Sequence, residues 1–277
     1  MSENCTHDCS TCGVDCPSRT SPQSFRIEPN ESSKIKKIIG VVSGKGGVGK
    51  SLVTSLMAVS SQRAGYKTAI LDADITGPSI AKTFGLTEHL YSTEEAIIPA
   101  QTRTGIKVVS TNLILEEETQ PVIWRGAIVS GVVKQFFSET DWGEVDCMFV
   151  DMPPGTGDVP LTVFQSIPLD GIIIVTTPQQ LVKVIVEKAI NMARMMNVPV
   201  LGLIENMSYV ECDNCGNRIS IFGESHAREI ADEHNLKLLA QIPINTRITK
   251  AVDDGELEFC EVSYLDSVVD TLLKDED

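Results

Sequence analysis

The chain has 277 residues, 42% hydrophobic and 22% charged, which gives enough apolar content for a large core and lies far from the composition of a disordered chain. Its 38 acidic and 23 basic side chains leave a formal net charge of −15. A field of that sign repels phosphate backbones and anionic lipid, so nucleic acid and membrane surfaces are not expected partners.

In chain order, residues 1–34 form a first unit: polar, rich in Ser, Thr, Pro and Cys, and without helical or strand periodicity, hence a tail. The first twenty residues carry acids and four cysteines where a secretory leader needs an apolar core. A cytoplasmic location is therefore expected, where disulfides are rare and clustered cysteines point to metals. Cys5, Cys9, Cys12 and Cys16, followed by Pro17, end like a ferredoxin run, but the first gap holds three residues. Four thiolates suit an iron-sulfur cluster or zinc.

Residues 35–277 form the second unit. Ile38–Val42 is a short β-branched run, followed by glycines and a helical pattern from about Gly49 to Ala64. Further apolar strands are expected at Thr68–Leu71, Lys107–Val109, Val145–Val150, Gly171–Val175, Val200–Ile204 and Leu238–Ile242. Helices are expected near 124–138, 158–166, 179–196, 223–234 and 245–253. The longest apolar runs fall far short of the roughly 20 residues that span a bilayer. Continuously apolar strands alternating with helices predict an α/β fold with a mainly parallel sheet covered on both faces. Residues 207–222 interrupt the alternation and read as a hairpin or protruding loop around Cys212 and Cys215.

Gly44-Lys45-Gly46-Gly47-Val48-Gly49-Lys50-Ser51 has the phosphate-loop spacing directly between a strand and a helix. Its glycines let backbone amides close around phosphates, the helix N-terminus adds positive dipole, Lys50 reaches the outer phosphates, and Ser51 offers a hydroxyl to magnesium. Asp72 and Asp74 emerge at a strand end, where open α/β sheets place ligands, or else cap the following turn. Cys147-Met-Phe-Val-Asp151 is an apolar run ending in an acid, so Asp151 is the expected magnesium acid; Asp146 precedes that strand. The loop Pro153–Gly157 is stiff yet hinged, suited to sensing a terminal phosphate. Cys212-x2-Cys215 supplies half of a four-thiolate site; a twofold dimer would complete a cluster or zinc site, and a redox pair remains open. Cys147 and Cys260 read as core thiols.

The second lysine, Lys45, makes the loop resemble the deviant Walker A motif of the MinD, ParA, nitrogenase iron protein and Mrp ATPases. Together with Asp72–Ser79, Trp124-Arg-Gly126, Asp151–Asp158, Thr176–Gln179 and Glu205–Ser208 before the C-x-x-C, the chain resembles the Mrp-type iron-sulfur cluster carrier ATPases over about residues 36–260. The resemblance implies a homodimer in which Lys45 reaches the partner's nucleotide, Asp74 orients water, Asp72 sits near the metal and Asn206 faces adenine. It further implies ATP with Mg2+, slow hydrolysis, and a bridging 4Fe-4S cluster on Cys212 and Cys215 that is delivered to apoproteins. Rival readings are a MinD- or ParA-like positioning ATPase and a nitrogenase-reductase-like electron donor. The C-terminal Lys-Asp-Glu-Asp and the lack of a basic patch disfavour the first.

Overall fold

The structure is a computed structural model that describes residues 26–75, 77–114, 126–179, 182–212 and 214–274. The tail cysteines Cys5, Cys9, Cys12 and Cys16, with Trp124 and Arg125, lie outside the described residues.

The elements in chain order are β1 (Lys34–Ser43), α1 (Lys50–Arg63), β2 (Thr68–Asp72), α2 (Ile80–Thr83), β3 (Tyr91–Ser92), β4 (Ile97–Ile98), β5 (Ala100–Gln101) and β6 (Lys107–Val109). There follow α3 (Gly126–Ser138), β7 (Glu144–Asp151), α4 (Asp158–Ser166), β8 (Gly171–Thr176), α5 (Val182–Met195) and β9 (Val200–Glu205). The chain ends with β10 (Val210–Glu211), β11 (Arg218–Ile219), α6 (Ala227–Glu233), β12 (Leu238–Gln241), α7 (Thr246–Asp253) and α8 (Asp266–Leu273).

Among the described residues, eight strands form one sheet in the order β12-β9-β8-β1-β7-β2-β6-β5, parallel throughout except where β5 pairs antiparallel with β6. Alternate residues of each buried strand feed opposite faces. Ile38, Val42, Met148, Val150, Ile172 and Ile174 join one core with residues from α3, α4, α5 and α6. Ile39, Val41, Phe149, Ile173 and Val175 join the other with residues from α1, α2, α7 and α8. Two-sided burial is why these strands read as unbroken apolar runs.

The strand expectations hold, with shifted ends. β7 begins at Glu144, so Asp146 lies inside the strand rather than before it. Its carboxylate pairs with Lys36 at 2.7 Å and accepts from the Lys67 amide at 2.8 Å, at the end of the strand away from Asp151. The helices expected from 179 and 223 begin at Val182 and Ala227. Just before β1, the Ile27 amide donates to the Ser166 carbonyl at 2.9 Å and Ser33 is buried beside Thr140.

Candidate functional site

The topology brings three strand ends together. Parallel register sets Asp151 of β7 beside Val41 of β1 on one side and Asp72 of β2 on the other, so the loop after β1 and both acids meet at the carboxyl edge of the sheet. Residues 44–49 turn from β1 into α1. A Cβ on Gly44 would lie 1.7 Å from Ile185 Cγ2 of α5, and one on Gly49, where φ is +80°, would lie 2.2 Å from Asn206 Nδ2. Both positions therefore require glycine. Gly46 and Gly47 face open space and, with Ser43, Lys50, Asp74 and Pro154, line a cavity of about 400 Å³.

Lys50 is 5% exposed, and its ammonium lies 2.7 Å from Asp151 Oδ1 and 3.5 Å from Asp74 Oδ2. Ser51 Oγ donates to Asp151 Oδ2 at 2.6 Å. Thr54 Oγ1, one turn on, lies 2.8 Å from Asp151 Oδ1. Asp72 is fully buried; its Oδ2 accepts from Ser110 Oγ at 2.9 Å and its Oδ1 from the Asp74 amide at 3.2 Å. Burial, reinforced by the charge of Asp151, pushes the Asp72 carboxyl up to about 8, with Lys50 opposing.

This donor set fits the groups expected of it. Bare glycine backbone beside a buried lysine suits a polyphosphate. Three buried carboxyl groups around Lys50, with the Ser51 hydroxyl, are the hard oxygen donors that Mg2+ takes.

The structure thus brings Lys50, Ser51, Asp72, Asp74 and Asp151 together. Lys45 is half-buried on the loop and its ammonium donates to Gln179 Oε1. Asn206, 2% exposed at the end of β9, donates from Nδ2 to the Val48 carbonyl at 2.9 Å, so it braces the loop from below. Thr54 and Ser110 were missed. The only signal for either was a hydroxyl one helical turn after Lys50, or one directly after an apolar strand.

The cysteine segment leaves β9 through 206–209 and forms a short antiparallel ribbon, β10 against β11. The Cys212 amide donates to the Asn217 carbonyl at 2.9 Å, and the Gly216 amide to the Cys212 carbonyl at 2.8 Å, closing the tip. Cys212 is half-buried and Cys215 exposed. The Arg218 guanidinium stacks over the Tyr209 ring at 4.3 Å, joining the two sides of the ribbon. Cys147, by contrast, is buried in β7, and burial pushes its thiol up. Cys260 packs partly buried against the core.

A glycine loop between the central strand and a helix, with a buried lysine and two strand-end acids, defines a P-loop nucleotide triphosphatase. The chain belongs to the ParA family described as NUBPL iron-transfer P-loop NTPase, whose model matches residues 34–273. It is 46% identical over 232 residues to the iron-sulfur cluster carrier protein of Clostridium perfringens, covering 81% of each chain. A Methanocaldococcus jannaschii protein of the same name is 43% identical over 258 residues, covering 91% of this chain and 89% of its own. Among solved structures, a nucleotide-binding protein from Archaeoglobus fulgidus in complex with ADP matches with a TM-score of 0.76 and 43% identity, over 83% of this chain and 91% of its own. MinD of Aquifex aeolicus, in its complex with MinC, shares the fold at 18% identity and a TM-score of 0.63, over 87% of this chain and 97% of its own. Among the described residues no helix is long and apolar enough to cross a membrane.

Proposed function

We propose that this protein is an iron-sulfur cluster carrier that binds ATP with Mg2+, hydrolyses it slowly, and passes 4Fe-4S clusters to apoproteins in the cytoplasm. The observation that carries the reading is the joining of two sites on one strand extension: β9 delivers Asn206 to the phosphate loop and, four residues later, opens the ribbon that bears Cys212 and Cys215. Relatives named as iron-sulfur cluster carrier proteins, similar over four-fifths or more of the chain, support it over a positioning ATPase or an electron donor.

In this reading the loop amides of residues 44–49 surround the phosphates and Lys50 supplies their counter-charge. Ser51 and Asp151 would hold Mg2+, with Asp72 behind them, and the ion would neutralise charge on the transferring phosphoryl group. Asp74 orients the attacking water. Lys45 leaves Gln179 to reach the nucleotide of a second protomer, and Asn206 leaves the Val48 carbonyl to contact adenine. Two protomers bring Cys212 and Cys215 together twice, completing four thiolates around the carried cluster. Residues 1–34, anchored to the core at Ile27 and Ser33, hold a second cluster on Cys5, Cys9, Cys12 and Cys16, and residues 35–277 are the ATPase unit.

The test replaces Cys212 and Cys215 with Ser. After anaerobic reconstitution the variant should lose one cluster per dimer, dimerise more weakly and fail to activate an apo 4Fe-4S enzyme, while binding ATP normally. An unchanged, iron-loaded dimer on sedimentation and iron counting refutes the bridging site.

A further inference from the structure

Glu205 ends β9 as Asp72 and Asp151 end β2 and β7, yet it lies outside the phosphate site. It is 1% exposed, and its carboxyl group accepts three hydrogen bonds: from Ser208 Oγ at 2.5 Å, Ser225 Oγ at 2.8 Å and Gln241 Nε2 at 2.8 Å. Ser208 stands at the start of the cysteine segment and Ser225 at its end, just before α6. One buried carboxyl group therefore fastens both ends of the segment to the end of β12. The backbone repeats the fastening, because the Ser208 amide donates to the Ile242 carbonyl and the Ile244 amide to the Tyr209 carbonyl.

The neighbouring residue points the other way. Asn206 touches Val48 and presses on Gly49, so Glu205 and Asn206 hold the two sites from adjacent backbone positions. The strand leaving Gln241 then enters α7, whose Thr249 and Val252 line the phosphate cavity while its Thr246 and Arg247 line a second cavity that contains Cys212. A change in loop position on nucleotide binding thus meets packed, hydrogen-bonded structure on the way to the cysteines, with few soft joints to absorb it.

We infer that Glu205 is a positioning residue: it fixes the cysteine segment to the β9–β12 strand ends, so that nucleotide in the P-loop cavity changes the accessibility of Cys212 and Cys215. The inference rests on the carrier reading for its purpose, but its test needs no iron. Reduced, metal-free protein is treated with N-ethylmaleimide with and without Mg2+ and a non-hydrolysable ATP analogue, and labelling of Cys212 and Cys215 is read by peptide mass spectrometry. In the wild type the analogue should change the labelling rate by at least about fivefold, the lower end of ordinary coupling between two sites.

Glu205→Gln turns one acceptor oxygen into a donor facing other donors, so the response should vanish while analogue affinity stays unchanged. Ser225→Ala, which removes a single hydroxyl and endangers folding less, should weaken it. The double variant Glu205→Gln with Gln241→Glu exchanges the two groups, restores their hydrogen bond and should recover the response. A full response in Glu205→Gln, no response in the wild type, or an affinity loss that parallels the lost response would each overturn the role. A protein that passes this test yet holds no cluster would refute the carrier reading instead.

Discussion

Replacing Asp72 with Asn should stabilise the protein in the absence of nucleotide and magnesium, and by more as the pH rises. Asp72 is fully buried and its carboxyl group is pushed up to about 8, first by burial and then by Asp151. Its ordinary value is near 4, so between about pH 4 and pH 8 the folded state holds a proton that the unfolded state releases. With more protons bound when folded, stability falls as pH rises, by about 1.4 kcal/mol per pH unit. From about pH 5 to about pH 7 the wild type should lose roughly 3 kcal/mol that the Asp72→Asn variant keeps. The amide preserves the local bonds, since its oxygen accepts from the Asp74 amide and its NH2 donates to Ser110 Oγ. In a domain of this size that corresponds to roughly 5–10 °C in melting temperature. The assay is thermal unfolding of both proteins in EDTA across that range. Parallel curves, with no widening gap toward neutral pH, would refute the argument that burial holds the proton on Asp72. The same variant should hydrolyse ATP poorly, separating what stabilises the fold from what serves the site.

The other expectations follow from the site geometry. Lys50→Ala should abolish binding of a fluorescent ATP analogue, because it strips the phosphates of their buried counter-charge, whereas Lys45→Ala should bind normally and lose most hydrolysis; equal losses of affinity on titration would sink the division. Gly49→Ala should unfold little of the sheet but lose nucleotide affinity at least tenfold, or about 1.4 kcal/mol, because its Cβ collides with Asn206 at a φ of +80°. Deleting residues 1–20 should remove about four irons per monomer and spare ATP hydrolysis. Zinc in the tail, with no iron lost on deletion, would show a structural zinc site there instead.

The parallel sheet was legible because every central strand is buried on both faces, which writes runs such as Ile172-Ile-Ile-Val175 into the sequence. Apart from the eight-residue α8, the elements that escaped are those with too few residues to carry a period. β3, β4 and β5 have two residues each and α2 has four, and tertiary contacts create them. Strand ends escaped for a related reason. Glu144 belongs to β7 because β1 offers it a partner at Lys34, which no local signal reports. The delayed start of α6 has a chemical cause: Ser225 is committed to Glu205, in the stretch that periodicity assigned to the helix.

The site was legible where spacing carries the chemistry and illegible where burial does. Eight cysteines look alike in sequence, yet Cys147 lies sealed in β7, where burial pushes its thiol up and away from the thiolate form that a metal takes. Cys212 and Cys215 differ because a short ribbon lifts them off the strand end instead of continuing it into the core. The acids sort by the same rule. Asp146 and Asp151 share one strand, but the exposed end pairs Asp146 with a solvent-facing Lys36, while the buried end sets Asp151 against Lys50, Ser51 and Thr54. Burying Asp72, Asp74 and Asp151 around the single cation Lys50 is unfavourable for folding alone, since one lysine offsets only part of the desolvation cost of three acids. A divalent cation with a polyphosphate would offset that cost, so the groups that weigh against the empty fold are those that binding satisfies.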